Sequence, residues 1–201
     1  ELLARSEPDT DSLVSAIEAD ASVTYRVITL LNSAHFGLTK KVSSVRQAVL
    51  LAGWMHLCAW LRVMVMADLT PSIKVRELLH LSAQRAKFLG QLAMAAGRGE
   101  QSDKLFLLGL FSLLPAMLDL PMSEIAPRLA LADDLQSALL GQPGAFAPWL
   151  ALAKAIEDTR WDDMGELAAQ LGLPPGSVSQ AYNESFLWAD KLLSAIPANG
   201  R

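Results

Sequence analysis

The stretch Leu105-Phe106-Leu107-Leu108-Gly109-Leu110-Phe111-Ser112-Leu113-Leu114 constrains this chain more than any other. A surface helix keeps one polar face for water, and this run has none, so as a helix it must sit at the centre of a fold with other elements around it. Ser102 and Asp103, just ahead of it, are residue types that cap helix N-termini. A buried helix needs a shell. The 201 residues, 52% hydrophobic against 19% charged, are enough for one large domain or two small ones with a stable core.

The shell is also helical. Leu and Ala carry the hydrophobic excess, and β-branched residues are scattered rather than alternating. Asp9, Thr10 and Asp11 precede Leu13, Val14 and Ile17 at helical spacing, predicting a helix over roughly 11–19. Ser22 caps a second one through Leu31 that ends between Asn32 and Gly37, and Ser43 or Ser44 starts a third that breaks at Gly53. After a helix over 54–68, Thr70-Pro71 opens a long one from about Ser72 to Ala96, ended by Gly97 to Gly99. Pro121, Pro127, Pro143, Pro148, Pro174 and Pro175 divide the remainder into short helices, with Asp162 and Ser177 as caps for the last two. Gln142-Pro143-Gly144 is the clearest seam, so residues 1–141 are expected to form a main bundle and 142–201 a helical extension packing back on it, within one domain.

Charge excludes some functions. Seventeen basic and 21 acidic residues, mixed along the chain, give a net charge of −4, and nothing here provides a field that draws proteins onto nucleic acid or anionic lipid. The apolar stretches fall short of a membrane span, and no basic region leads into an apolar signal core. Cys58 is the single cysteine, so no internal disulfide forms and a reducing, cytoplasmic location is expected.

Leu30-Leu31-Asn32-Ser33-Ala34-His35-Phe36-Gly37, followed by Val42-Ser43-Ser44-Val45-Arg46-Gln47-Ala48-Val49 and Gly53, resembles the signature of HDOD domains, the HD-related output domains. The acidic Glu18-Ala19-Asp20 ahead of it fits the same pattern. Leu105 to Pro121, with Tyr182, Phe186, Trp188 and Ala189-Asp190 near the end, is similar to the subset of these domains that follows an EAL domain, the cyclic di-GMP phosphodiesterase fold. The resemblance implies an all-α, compact multi-helix bundle of the HD-domain-like type. It also implies a bacterial signalling module, with an N-terminal EAL-type domain preceding this segment in a longer protein. The expected partner is that domain or another signalling protein, and a homodimer is compatible with the same reading.

An HD phosphohydrolase holds its metal with an adjacent His-Asp pair and further His and Asp ligands. No His-Asp dipeptide occurs here, and laid on the family's pattern, Gly109-Leu110-Phe111-Ser112-Leu113 puts Ser112 and Leu113 where that pair would be. Neither a hydroxyl nor an isobutyl group replaces those ligands. The expectation is therefore no metal, no cofactor and no catalytic residue, with a degenerate HD-fold phosphohydrolase acting on a nucleotide as the alternative.

Other polar groups have structural readings. His35, His56 and His80 share no ligand spacing; Ser112, inside an apolar helix, is expected to bond a backbone carbonyl one turn back. Asp133-Asp134 and Asp162-Asp163 read as caps and first-turn charges. Most of Trp54, Trp60, Trp149, Trp161 and Trp188 belong in the core, although some of them beside Met55, Met64 and Met66 could form an adaptable docking surface. Arg26, Lys40, Lys41 and Arg46 flank Asn32, Ser33, His35 and Phe36, and these eight form the candidate interaction surface: a basic rim with an aromatic anchor for an acidic partner surface, an EAL domain or a phosphate-bearing ligand.

Overall fold

A computed structural model describes residues 10–19, 24, 44, 61, 73–128 and 131–194. The chain divides into two compact units, one formed by Glu1–Leu69 with Asp190–Arg201 and the other by Thr70–Ala189. The seam expected at Gln142-Pro143-Gly144 falls inside the second unit. The fold is all-α, and the described residues contain no strand.

In the first unit α1 spans Thr10–Glu18, against the predicted 11–19, with Val14 and Ile17 buried three residues apart on one face. The Thr24 hydroxyl donates to the Ile17 carbonyl at 2.8 Å, one of the carbonyls a helix end leaves without an internal partner. The other helices expected between Ser22 and Asp68 lie outside the described residues.

The second unit is built on two antiparallel helices, α2 (Ile73–Ala95) and α3 (Ser102–Phe111). Every residue of α3 from Leu105 to Phe111 is buried, as its lack of a polar face requires. The two helices touch at Gly109, where an added Cβ would lie 2.6 Å from backbone atoms of Ala86 and Arg85. Only glycine permits that approach. Side chains then tie the pair: the Ser82 hydroxyl donates to the Leu110 carbonyl and the Ser102 hydroxyl to the Gly90 carbonyl at 3.1 Å. Ser102 is thus an interhelical tie and not the cap expected of it; Gln101 occupies the N-cap and supplies no side-chain bond.

Helix α2 ends within one residue of its predicted limits at both termini. At its C-terminus Gly97 adopts φ +71, its N–H bonds the Met94 carbonyl and that of Arg98 bonds the Ala93 carbonyl, which closes a Schellman motif. The short helices α4 (Leu114–Leu118), α5 (Met122–Ile125) and α6 (Asp133–Leu139) follow, with Pro121 as the N-cap of α5. Helix α7 (Ala147–Glu157) packs on α2 and α3, and α8 (Trp161–Leu171) folds back on α7. Helix α9 (Ser177–Ser194) is not short: after Pro174 and Pro175 nothing in its sequence breaks it, and it runs through eighteen residues. The Ser177 hydroxyl donates to the Pro174 carbonyl, and the N-cap of α8 is Arg160 with Asp162 inside the first turn, so neither expected cap acts as one.

Candidate functional site

Ser112 closes α3. Its hydroxyl donates to the Gly109 carbonyl at 2.7 Å, the backbone bond expected for a serine in an apolar helix. The oxygen also accepts from Arg85 Nη1 at 2.6 Å. Arg85 lies on the stretch of α2 that Gly109 brings against α3, so its guanidinium reaches the carbonyl end of α3, where the helix dipole favours a cation. Leu113, the second residue of the expected pair position, is half-buried in the turn and is the N-cap of α4.

The charge of Arg85 is met from the third side. Glu157, the last residue of α7, accepts from Arg85 Nε at 2.8 Å through Oε1 and from Nη2 through Oε2. This is the bidentate fork that makes arginine–carboxylate pairs directional as well as strong. Arg85 is 4% exposed and Glu157 18%, so the pair lies largely away from water. One guanidinium therefore links α2, α3 and α7. Gln84, Arg85, Phe88, Ala153, Glu157 and Tyr182 line a small cavity beside it, about 10 Å³.

Chemically the arrangement is a closed cation–carboxylate–hydroxyl cluster. Both Glu157 oxygens and the Ser112 hydroxyl, groups that can ligate a hard metal ion, are taken by the guanidinium. Among the described residues no three His, Cys, Asp or Glu side chains converge as metal ligands would.

A second buried cation lies two residues further along α2. Lys87 Nζ sits over the Trp188 ring, 5.9 Å from its centroid, and burial pushes the lysine pKa down while the nearby Glu184 carboxylate pulls it up. His80, half-buried, meets the edge of Phe186 at 5.4 Å between centroids. Asp133 and Asp134 open α6, and Asp134 accepts from Lys104 Nζ of α3 at 2.8 Å, which holds its carboxyl below the usual range. Asp162 and Asp163 stand in the first turn of α8. Most of the five tryptophans are expected in the core; among the described residues Trp149 and Trp188 are buried and Trp161 is exposed. The eight residues of the candidate interaction surface, Arg26, Asn32, Ser33, His35, Phe36, Lys40, Lys41 and Arg46, lie outside the described residues, as do His56, Cys58, Trp54 and Trp60.

Sequence reasoning passed over Arg85 and Glu157. A signal existed for the first: Arg85 falls four residues after Leu81, four before Leu89 and seven before Leu92, so it interrupts the apolar stripe of α2. A charge in such a stripe calls for a buried partner, but nothing in sequence points to residue 157 as that partner.

The chain belongs to the HDOD family: its residues 1–127 match the HDOD domain. It is 31% identical over 195 residues, 96% of its length, to the uncharacterized protein YuxH of Bacillus subtilis. It is 28% identical over 176 residues, 88% of its length, to the cyclic di-GMP phosphodiesterase CdgJ of Vibrio cholerae. The chain spans 47% and 40% of those two proteins. No solved structure matches it significantly. No described helix is long and apolar enough to cross a membrane.

Proposed function

We propose that this chain is a non-catalytic regulatory module of bacterial signal transduction, cytoplasmic, acting through protein contacts on an attached or associated cyclic di-GMP phosphodiesterase domain of the EAL type. The observation that carries the reading is the Arg85 guanidinium, which occupies Ser112 and Glu157 together at the position where the resemblance expects a metal pair. A fixed organic cation there supplies charge balance and rigidity but no open coordination position for a water or a phosphate, which metal-assisted hydrolysis needs. The similarity to CdgJ over less than half of that protein supports a role beside phosphodiesterase chemistry carried by another segment. The degenerate-hydrolase alternative would have to displace Arg85 before any ion could bind Glu157. The test is cyclic di-GMP hydrolysis by the longer protein with and without residues 1–201. A rate that changes severalfold on removal supports regulation, and an unchanged rate refutes it.

A further inference from the structure

Helices α7 and α8 form a hairpin whose tip carries an exposed tryptophan in an acidic setting. The turn is fixed: Thr159 N–H bonds the Ile156 carbonyl at 3.0 Å and Arg160 N–H the Ala155 carbonyl at 2.8 Å, with Thr159 held at φ 57. Trp161, the first residue of α8, is 60% exposed. An exposed indole at a rigid corner offers the large, amphipathic contact area that tryptophan brings to interface anchors.

Two features beside Trp161 indicate what it meets. Residues 158–166 place four carboxylates, Asp158, Asp162, Asp163 and Glu166, against the single cation Arg160. Arg160 is engaged by Asp163 and, at 3.5 Å, by Asp158, while Asp162 and Glu166 stand exposed one turn apart on α8. Gly165 follows Trp161 by one turn, and a Cβ built on it meets nothing within 4 Å. Glycine inside a helix destabilises it relative to alanine, and no packing among the described residues requires one here. Its bare backbone leaves room for another chain to pass close beside the indole.

We propose that the Trp161–Gly165 face of α8 is a docking surface for a lysine- or arginine-bearing segment of a partner protein. One cationic side chain stacks on the indole while Asp162 and Glu166 accept its hydrogen bonds, and the partner backbone crosses at Gly165. The sign of the patch selects the partner: carboxylates repel phosphates, so nucleic acid and anionic lipid are excluded. This surface shares no residue with the candidate set Arg26, Asn32, Ser33, His35, Phe36, Lys40, Lys41 and Arg46, and stands whether or not the regulatory reading does.

The test is a titration of the ¹⁵N-labelled 201-residue chain with a Gly-Ser peptide carrying two adjacent arginines, and with the same peptide carrying two glutamates. The Trp161 indole N–H signal is identified by its loss in Trp161→Phe. The arginine peptide is expected to shift that signal selectively and the glutamate peptide to leave it in place. Trp161→Ala and the pair Asp162→Asn with Glu166→Gln should each weaken binding about tenfold, and far-UV circular dichroism should show that the fold is kept. No shift with millimolar arginine peptide, or binding by Trp161→Ala as tight as by the parent, overturns the proposal.

Discussion

Replacing Arg85 by alanine should be among the most damaging single changes in the second unit. The guanidinium makes three hydrogen bonds, two to Glu157 and one to Ser112, from a side chain that is 4% exposed. Removing one member of a largely buried pair leaves the other as an uncompensated charge, which costs about 3–5 kcal/mol. With a urea dependence on the order of 2 kcal/mol per molar, the unfolding midpoint should fall by about 2 M. Glu157→Gln should be similarly severe, since it strands the cation. The decisive arm is the double replacement by methionine at both positions: fitting apolar groups in place of a buried ion pair is often neutral or stabilising, so this variant should recover most of the lost stability. Urea unfolding followed by tryptophan fluorescence and far-UV circular dichroism reads all three variants. An Arg85→Ala loss under 1 kcal/mol, or a double variant no better than the singles, would refute the view that a desolvated pair fastens α2, α3 and α7.

Other outcomes follow from single positions. Gly109→Ala forces a methyl group into the α2 backbone, 2.6 Å from Ala86 and Arg85 atoms, and should lower stability by about 3 kcal/mol in the same assay. Thr159→Gly relieves a β-branched residue at φ 57 in the α7–α8 turn and should raise stability by about 0.5–1 kcal/mol after the entropy of glycine is counted; a loss would show that the threonine side chain holds the turn. Lys87 gives a pH signature. Burial sets its folded pKa below the ordinary 10.5, so the unfolded chain binds more protons between those two values and stability rises with pH across that window. Lys87→Met should flatten this rise in urea midpoints, and a rise of unchanged slope would contradict the assignment.

Much of the architecture was legible in sequence for simple physical reasons. An apolar run without a polar face had to become the buried α3, and glycine at 97 had to end α2 because it accepts a positive φ without penalty. Prolines mark helix starts reliably since they lack an N–H, which explains α5 and α7. The capping predictions at Ser102, Asp162 and Ser177 failed because a short polar side chain near a helix start has several acceptors within reach, and proximity in sequence does not choose among them. The site was half legible. The bond from Ser112 to a carbonyl one turn back is local and followed from helix geometry, whereas its second partner, Arg85, is 27 residues away, and Glu157 is 72 from Arg85. Such pairings depend on how helices cross, and here Gly109 decided that crossing. Which of the tryptophans would be exposed was not legible for a related reason: hydropathy treats all five alike, while Trp161 falls at a hairpin tip.

We propose that the Arg85 guanidinium, and not a metal, completes the cluster at Ser112, in a module that regulates and does not hydrolyse. The most direct measurement takes the purified 201-residue chain, determines bound metal by elemental analysis after incubation with manganese, magnesium or iron, and follows cyclic di-GMP turnover in the same samples. Substoichiometric metal and no turnover above buffer are expected, in the parent and in Ser112→Ala alike. One equivalent of tightly held metal, or turnover that Ser112→Ala or Glu157→Gln abolishes, would contradict it.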